Sequence, residues 1–278
     1  MKDMKDIQTG RVLIIPDVHQ NLAFVKNVLE QEDYWDHLVF LGDYVDTHLT
    51  VDNITAYNFK ATLEFFSELK KTHGDNVTFL VGNHDVSYLS TYKSNDSAER
   101  GSPYACSGWT RSKGTQFNRY ADPKWINSLE LCIRLGDWVC VHAGFMYPHF
   151  KPMISEWDNI KALHKEWEND RLLLSSRFAT GTHWIGNVSP VRGGRSSHSS
   201  PVWVDFMDEF EPVENVRQIV GHTTTPAIPK WKDTHNICVD AMQTCYAVWQ
   251  HNEVTVKQAY NGQVCRMEDY AFERDERI

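Results

Sequence analysis

Short unbroken apolar runs alternate with stretches of helical spacing along the first third of the chain. Val12 to Ile15 ends at Pro16, after which Leu22, Val25, Val28 and Leu29 recur three or four apart. This pattern predicts a strand, a polar loop and a helix. Leu38 to Leu41 precedes Gly42-Asp43, and Ile54, Tyr57, Ala61, Phe65 and Leu69 predict a helix over about 54–71. Val77 to Val81 then runs into Gly82-Asn83. Read as βα units, the three runs place their polar loops at strand carboxyl ends. Open α/β sheets gather ligands there, because the loops converge on one crevice held by rigid strands.

Periodicity weakens over about 86–129, where Ser, Thr, Asn, Gly and Trp dominate, and again over about 147–214. Both stretches read as irregular, cap-like insertions in a single domain spanning 1–278, the second with a helix over about 160–174. Between them, 131–135 and 138–141 predict a hairpin around Gly136-Asp137 that ends at His142. Strands are expected at about 217–220, 236–240, 245–250 and 254–258, as a mostly antiparallel meander. The charged run at 273–277 reads as a solvated tail.

The polar punctuation of this pattern carries the chemistry. Asp17-Val18-His19, Gly42-Asp43-Tyr44-Val45-Asp46, Gly82-Asn83-His84-Asp85, His142 and Gly221-His222 follow one another in order. Carboxylates, imidazoles and one amide oxygen form a mixed O/N donor set, which suits Mn²⁺, Fe or Zn²⁺ better than Ca²⁺ or a thiolate-bound structural zinc. Asp17 and His19, two residues apart, can reach one ion. Asp43 can bridge to a second ion completed by Asn83, His142 and His222, since a carboxylate has two oxygens and lessens the repulsion between the cations. With Asn83 turned to the metal, His84 projects into the crevice as a candidate general acid. Asp46 is the first candidate to orient its imidazole and Asp85 the second.

Composition narrows the setting. A chain of 278 residues with 41% hydrophobic content and a net charge of -9 can bury a substantial core, and its acidity disfavours broad attraction to nucleic acid or anionic lipid. Bound cations would offset several of those charges locally. No apolar stretch is long enough to span a membrane and the Met-Lys-Asp start lacks an apolar signal core, so a cytoplasmic protein with reduced cysteines is expected. In the expected hairpin, Cys132 and Cys140 face opposite sides of the sheet, a poor geometry for a disulfide. The oligomeric state is not legible.

The series D-x-H, G-D-x-x-D, G-N-H-D, V-H-A-G and G-H, carried by Asp17 to His222, resembles the calcineurin-like metallophosphoesterase superfamily over roughly residues 11 to 260. The resemblance implies an α/β (α+β) fold, a β-sandwich flanked by helices. It implies two divalent ions, Mn²⁺ first, with Fe, Zn²⁺ or Ni²⁺ as alternatives. Asp17, His19 and Asp43 would hold one ion, and Asp43, Asn83, His142 and His222 the other. It further implies His84 as the acid and a metal-bridged hydroxide as the nucleophile. Thr224 stands where phosphodiesterase and nuclease members carry a second imidazole. This favours the branch of phosphoprotein phosphatases and symmetrical diadenosine tetraphosphatases.

Those enzymes usually read G-D-x-x-D-R-G, whereas Thr47 follows Asp46 here. Arg192, flanked by glycines with Arg195 close behind, is the candidate replacement for the missing phosphate clamp. The expected activity is a protein-phosphatase-like phosphomonoesterase acting on a phosphoprotein or small phosphate ester. The alternative is a diadenosine tetraphosphatase-like pyrophosphohydrolase, and a non-catalytic scaffold is the remaining class.

Other side chains carry blander expectations. His37 and His73 read as surface or capping residues, and His48 as either a phosphate contact or a solvated loop residue. Trp109, Arg111 and Lys113, and likewise His183-Trp184, either edge the substrate or pack the cap. Asp240 reads as a turn residue.

Overall fold

The structure, a computed structural model, describes residues 3–47, 58–93, 102–171, 183–225 and 228–266. Its first sheet has the order β1-β6-β7-β8-β10-β9: Asp6–Ile7, Cys132–Leu135, Trp138–Val141, Arg217–Val220, Asn236–Cys238 and Lys230–Asp233. The second runs β13-β12-β11-β2-β3-β4-β5: Val264–Cys265, Glu253–Gln258, Cys245–Gln250, Arg11–Ile15, His37–Phe40, Val77–Leu80 and Leu129–Glu130. Helices α1 (Leu22–Gln31) and α2 (Phe59–His73) follow β2 and β3.

Side-chain parity builds the layers. Val12, Ile14 and Val39 point with Ile133, Cys140, Ile219 and Trp249 into one buried cluster, the seam between the sheets. Their neighbours Leu13, Ile15, Leu38 and Phe40 join Phe24, Val28, Leu63 and Phe66 of the two helices in a second cluster. Strands that bury both faces need unbroken apolar runs, so no alternation shows in the sequence. Each fully buried side chain of this kind contributes roughly 1.5–3 kcal/mol relative to exposure. The result is a sandwich flanked by helices.

The parallel order β2-β3-β4 matches the βα units. The hairpin pairs Cys132 with Val141 and Ile133 with Cys140, and all six cysteines are buried. The meander is not observed. β8 and β10 lie parallel in the first sheet, β11 and β12 antiparallel in the second, and the unexpected β9 pairs with β10. Alternation reports which faces are buried, and both sheets offer the same inner face. Residue 54, the expected helix start, lies outside the described residues, as do His48 and 172–174 of the second cap helix, observed as Glu156–Asp170. His37 is a buried strand residue whose ring bonds the Thr78 hydroxyl at 2.9 Å, not a surface histidine.

Candidate metal centre

Every ligand candidate sits just past the carboxyl end of a strand: Asp17 and His19 after β2, Asp43 and Asp46 after β3, Asn83 after β4, His142 after β7 and His222 after β8. His19, Asp43, Asp46 and His222 have φ values of 45°, 50°, 65° and 65°. Non-glycine residues adopt this left-handed region at a cost, and it clusters where a site over-determines the backbone. Gly82 serves close approach, because a Cβ there would meet Asp43 Oδ1 at 2.1 Å. Asn83 opens a short helix, α3 (Asn83–Leu89), that carries His84.

Lone pairs converge at the centre. His142 Nδ1 lies 2.9 Å from the Leu41 carbonyl, which can only accept, so Nδ1 carries the proton of the neutral ring. Nε2 then faces two further acceptors, Asn83 Oδ1 at 2.9 Å and Asp43 Oδ2 at 3.5 Å. His19 repeats the arrangement: Nδ1 is 2.8 Å from the Asp46 carbonyl, and Nε2 lies 3.9 Å from both Asp43 Oδ2 and Asp17 Oδ2. His222 Nε2 is buried without a hydrogen-bond partner among the described residues. Buried acceptors facing one another are costly unless a proton or a cation lies between them, and this donor set fits divalent metal. Asp43 Oδ2 is the oxygen common to both clusters.

Two groups of side chains lie close enough to share an ion: His19, Asp43 and His84, and Asp43, His142 and His222. Asp17 is in neither group, although its Oδ2 approaches His19; its Oδ1 accepts the His222 N–H at 3.0 Å. Without metal, the charges are strained. Burial and the neighbouring Asp240 push the Asp17 carboxyl well up. Asp43 is held well below the usual range because His142 and His84 outweigh its burial. Burial opposes charge on His142, yet Asp43 and Asp17 raise it to about 9. Burial, His142 and Arg192 hold His222 well below its ordinary value.

His84 donates through Nδ1 to Asp46 Oδ2 at 3.1 Å. Asp46 is thus the partner, while Asp85 accepts the backbone N–H groups of Asp43, Tyr44 and Gly82 at 2.8–3.2 Å and fixes the loops. Although burial disfavours the imidazolium, Asp43 and Asp46 raise the His84 pKa. Asp46 Oδ1 also accepts from the Tyr88 hydroxyl at 2.5 Å and the Lys113 ammonium at 2.9 Å. Tyr88 follows His84 by one helical turn, a spacing the sequence does show. Lys113 lies on α4 (Arg111–Tyr120), and of its group it is the one bonded to Asp46; Trp109 packs on the apolar core and Arg111 is exposed.

Arg192 Nη2 donates to Thr223 Oγ1 at 3.1 Å, beside His222, and Nε lies 2.8 Å from Asp205. Arg195 is exposed. Thr224 turns its hydroxyl to Asp240 at 2.6 Å, so Asp240 is a buried carboxylate behind Asp17 and not a turn residue. His183 is buried with Nε2 3.0 Å from Asp170, a packing role. Sequence reasoning missed Cys106: its thiol accepts from Asn83 Nδ2 at 3.3 Å, which turns the amide oxygen toward His142.

A family model described as calcineurin-like phosphoesterase matches residues 10–226, a span that includes every ligand candidate. No curated protein matches the chain. Among solved structures, a cold-active protein-tyrosine phosphatase of a psychrophilic Shewanella species is similar at 18% identity and TM-score 0.62, over 95% of this chain and 82% of the other. A Saccharomyces cerevisiae protein serine/threonine phosphatase is similar at 14% identity and TM-score 0.49, over 88% and 75%. A putative diadenosine tetraphosphatase is similar at 15% identity and TM-score 0.44, over 94% and 100%. At such identities, the Shewanella likeness establishes the fold.

Proposed function

Because this chain belongs to the calcineurin-like phosphoesterase family, we propose that it is a protein-phosphatase-like phosphomonoesterase using two divalent ions, Mn²⁺ foremost. The observation that carries this reading is Asp43 Oδ2, set 3.5 Å from His142 Nε2 and 3.9 Å from His19 Nε2 with His84 alongside. Asp17, His19 and Asp43 would hold one ion, and Asp43, Asn83, His142 and His222 the other. Bound there, such ions supply Lewis acidity and neutralise phosphate charge.

The chain's own groups do the rest. Arg192, pinned by Thr223 and Asp205, directs its remaining N–H donors at the phosphate oxygens. Asp46 holds Nδ1 of His84, so the proton for the departing oxygen comes from Nε2. Asp43 and Asp46 favour the protonated ring against its burial. Segments at about 86–129 and 147–214 would cap the site; they contribute Cys106, Lys113 and Arg192 to it. Among the described residues no helix is long and apolar enough to cross a membrane.

Metal-free protein assayed with added Mn²⁺ against p-nitrophenyl phosphate, bis-p-nitrophenyl phosphate, a phosphopeptide and diadenosine tetraphosphate tests this reading. Turnover of the two monoesters is expected. Preference for diadenosine tetraphosphate would favour the pyrophosphohydrolase, and no turnover of any would sink the enzyme reading.

A further inference from the structure

A cavity of about 340 Å³ is lined by residues that adjoin those around the metal centre. On one side Ala105 lines it, next to Cys106, whose thiol holds the Asn83 amide. On the other stand Trp203, with its ring 5.7 Å from that of His222, and Arg192, anchored on Thr223. A group leaving from a phosphate held by Arg192 therefore has this cavity beside it. Tyr104 forms a further wall, lying so tightly on Gly186 that a Cβ there would meet its ring at 1.9 Å. Any larger residue would displace the aromatic wall. Among the described residues, the ionisable groups of the lining are Arg192, Arg195 and Tyr104, with no carboxylate. Asp205 offsets the charge of Arg192, whereas Arg195, also in the lining, is exposed.

From these walls we infer that the cavity selects the leaving group: a flat aromatic alcohol that carries an anion on the side away from the phosphate. Tyr104 and Trp203 offer aromatic faces to the ring, which stack favourably with another aromatic. Arg195 pairs with the distal anion, and its planar fork matches a carboxylate. A leaving group with a distal cation meets Arg195 as a like charge and is disfavoured. The inference rests on the phosphomonoesterase reading, and names the substrate class of that site.

The test compares kcat/KM of the Mn²⁺-loaded enzyme for 4-(carboxymethyl)phenyl, 4-methylphenyl and 4-(aminomethyl)phenyl phosphates. The methylene insulates the ring, so the three phenolates depart with similar ease. The wild-type order is carboxymethyl, then methyl, then aminomethyl, with about fivefold to tenfold between the extremes, as attraction and repulsion at one exposed guanidinium add. Arg195→Glu reverses the order of the charged pair, a gain that a misfolded variant cannot mimic. Turnover of all three without charge preference, or an unchanged order in Arg195→Glu, overturns the inference while leaving the phosphomonoesterase reading intact. No turnover of any overturns both.

Discussion

Arg192→Ala removes the guanidinium that the structure places beside His222. Nη2 donates to Thr223 and Nε lies 2.8 Å from Asp205 as an ion pair, which leaves further N–H donors of the fork for phosphate oxygens. A charge-assisted contact that strengthens as negative charge builds in the transition state is worth roughly 2–4 kcal/mol, or about 30- to 1000-fold in kcat/KM. The fold should survive, because Asp205 keeps the N–H groups of Met207 and Asp208 on Oδ1 at 2.8 and 3.0 Å. Steady-state kinetics on phenyl phosphate with Mn²⁺, beside thermal melts and elemental analysis, would read the loss with folding and metal content unchanged. Arg192→Lys should recover only part, since an ammonium cannot present two parallel donors. Wild-type rates in Arg192→Ala, or a larger loss in Arg195→Ala, would refute the assignment of the clamp.

Three further outcomes are expected. Asp43→Asn should leave at most one equivalent of metal by elemental analysis and lower kcat by several orders of magnitude, because Asp43 belongs to both groups; two retained equivalents would contradict the bridge. Lys113→Met removes one of three partners of Asp46 and should slow alkyl esters about threefold to tenfold, more than p-nitrophenyl phosphate, which needs little acid help. Lys113→Arg should restore the difference, and an equal loss on both esters would point to packing alone. Burial and the neighbouring His198 push His149 down to about 4, while Ser199 accepts from its Nε2 and Met146 N–H donates to its Nδ1. With the folded pKa below the unfolded 6.5, stability is full above about pH 6.5 and declines as pH falls to about 4, by at most about 3 kcal/mol. Urea melts across that window should flatten in His149→Gln; an unchanged slope would contradict the assignment.

The order of strands, loops and first helices was legible in the chain because each rests on contacts within a few residues. Apolar runs at 12–15, 38–41 and 77–81 marked strands, and the Gly-Asp and Gly-Asn steps marked the polar loops at their carboxyl ends. The hairpin register followed from its two-residue turn, which aligned Cys132 with Val141. Strand pairing beyond that point was not legible. β8 and β10 join one sheet while β11 and β12 join the other, and a strand's apolar pattern fits the inner face of either. The support around His84 and Asp17 was equally hidden. Lys113 meets Asp46 across 67 residues, and Thr224 meets Asp240 across 16. Ligand types and their order were local properties of the sequence. Which oxygen lies between two imidazoles, which side chains hold the Asp46 carboxylate and which arginine stands beside His222 depend on loops converging from separate strands, and only the packed sandwich decides that.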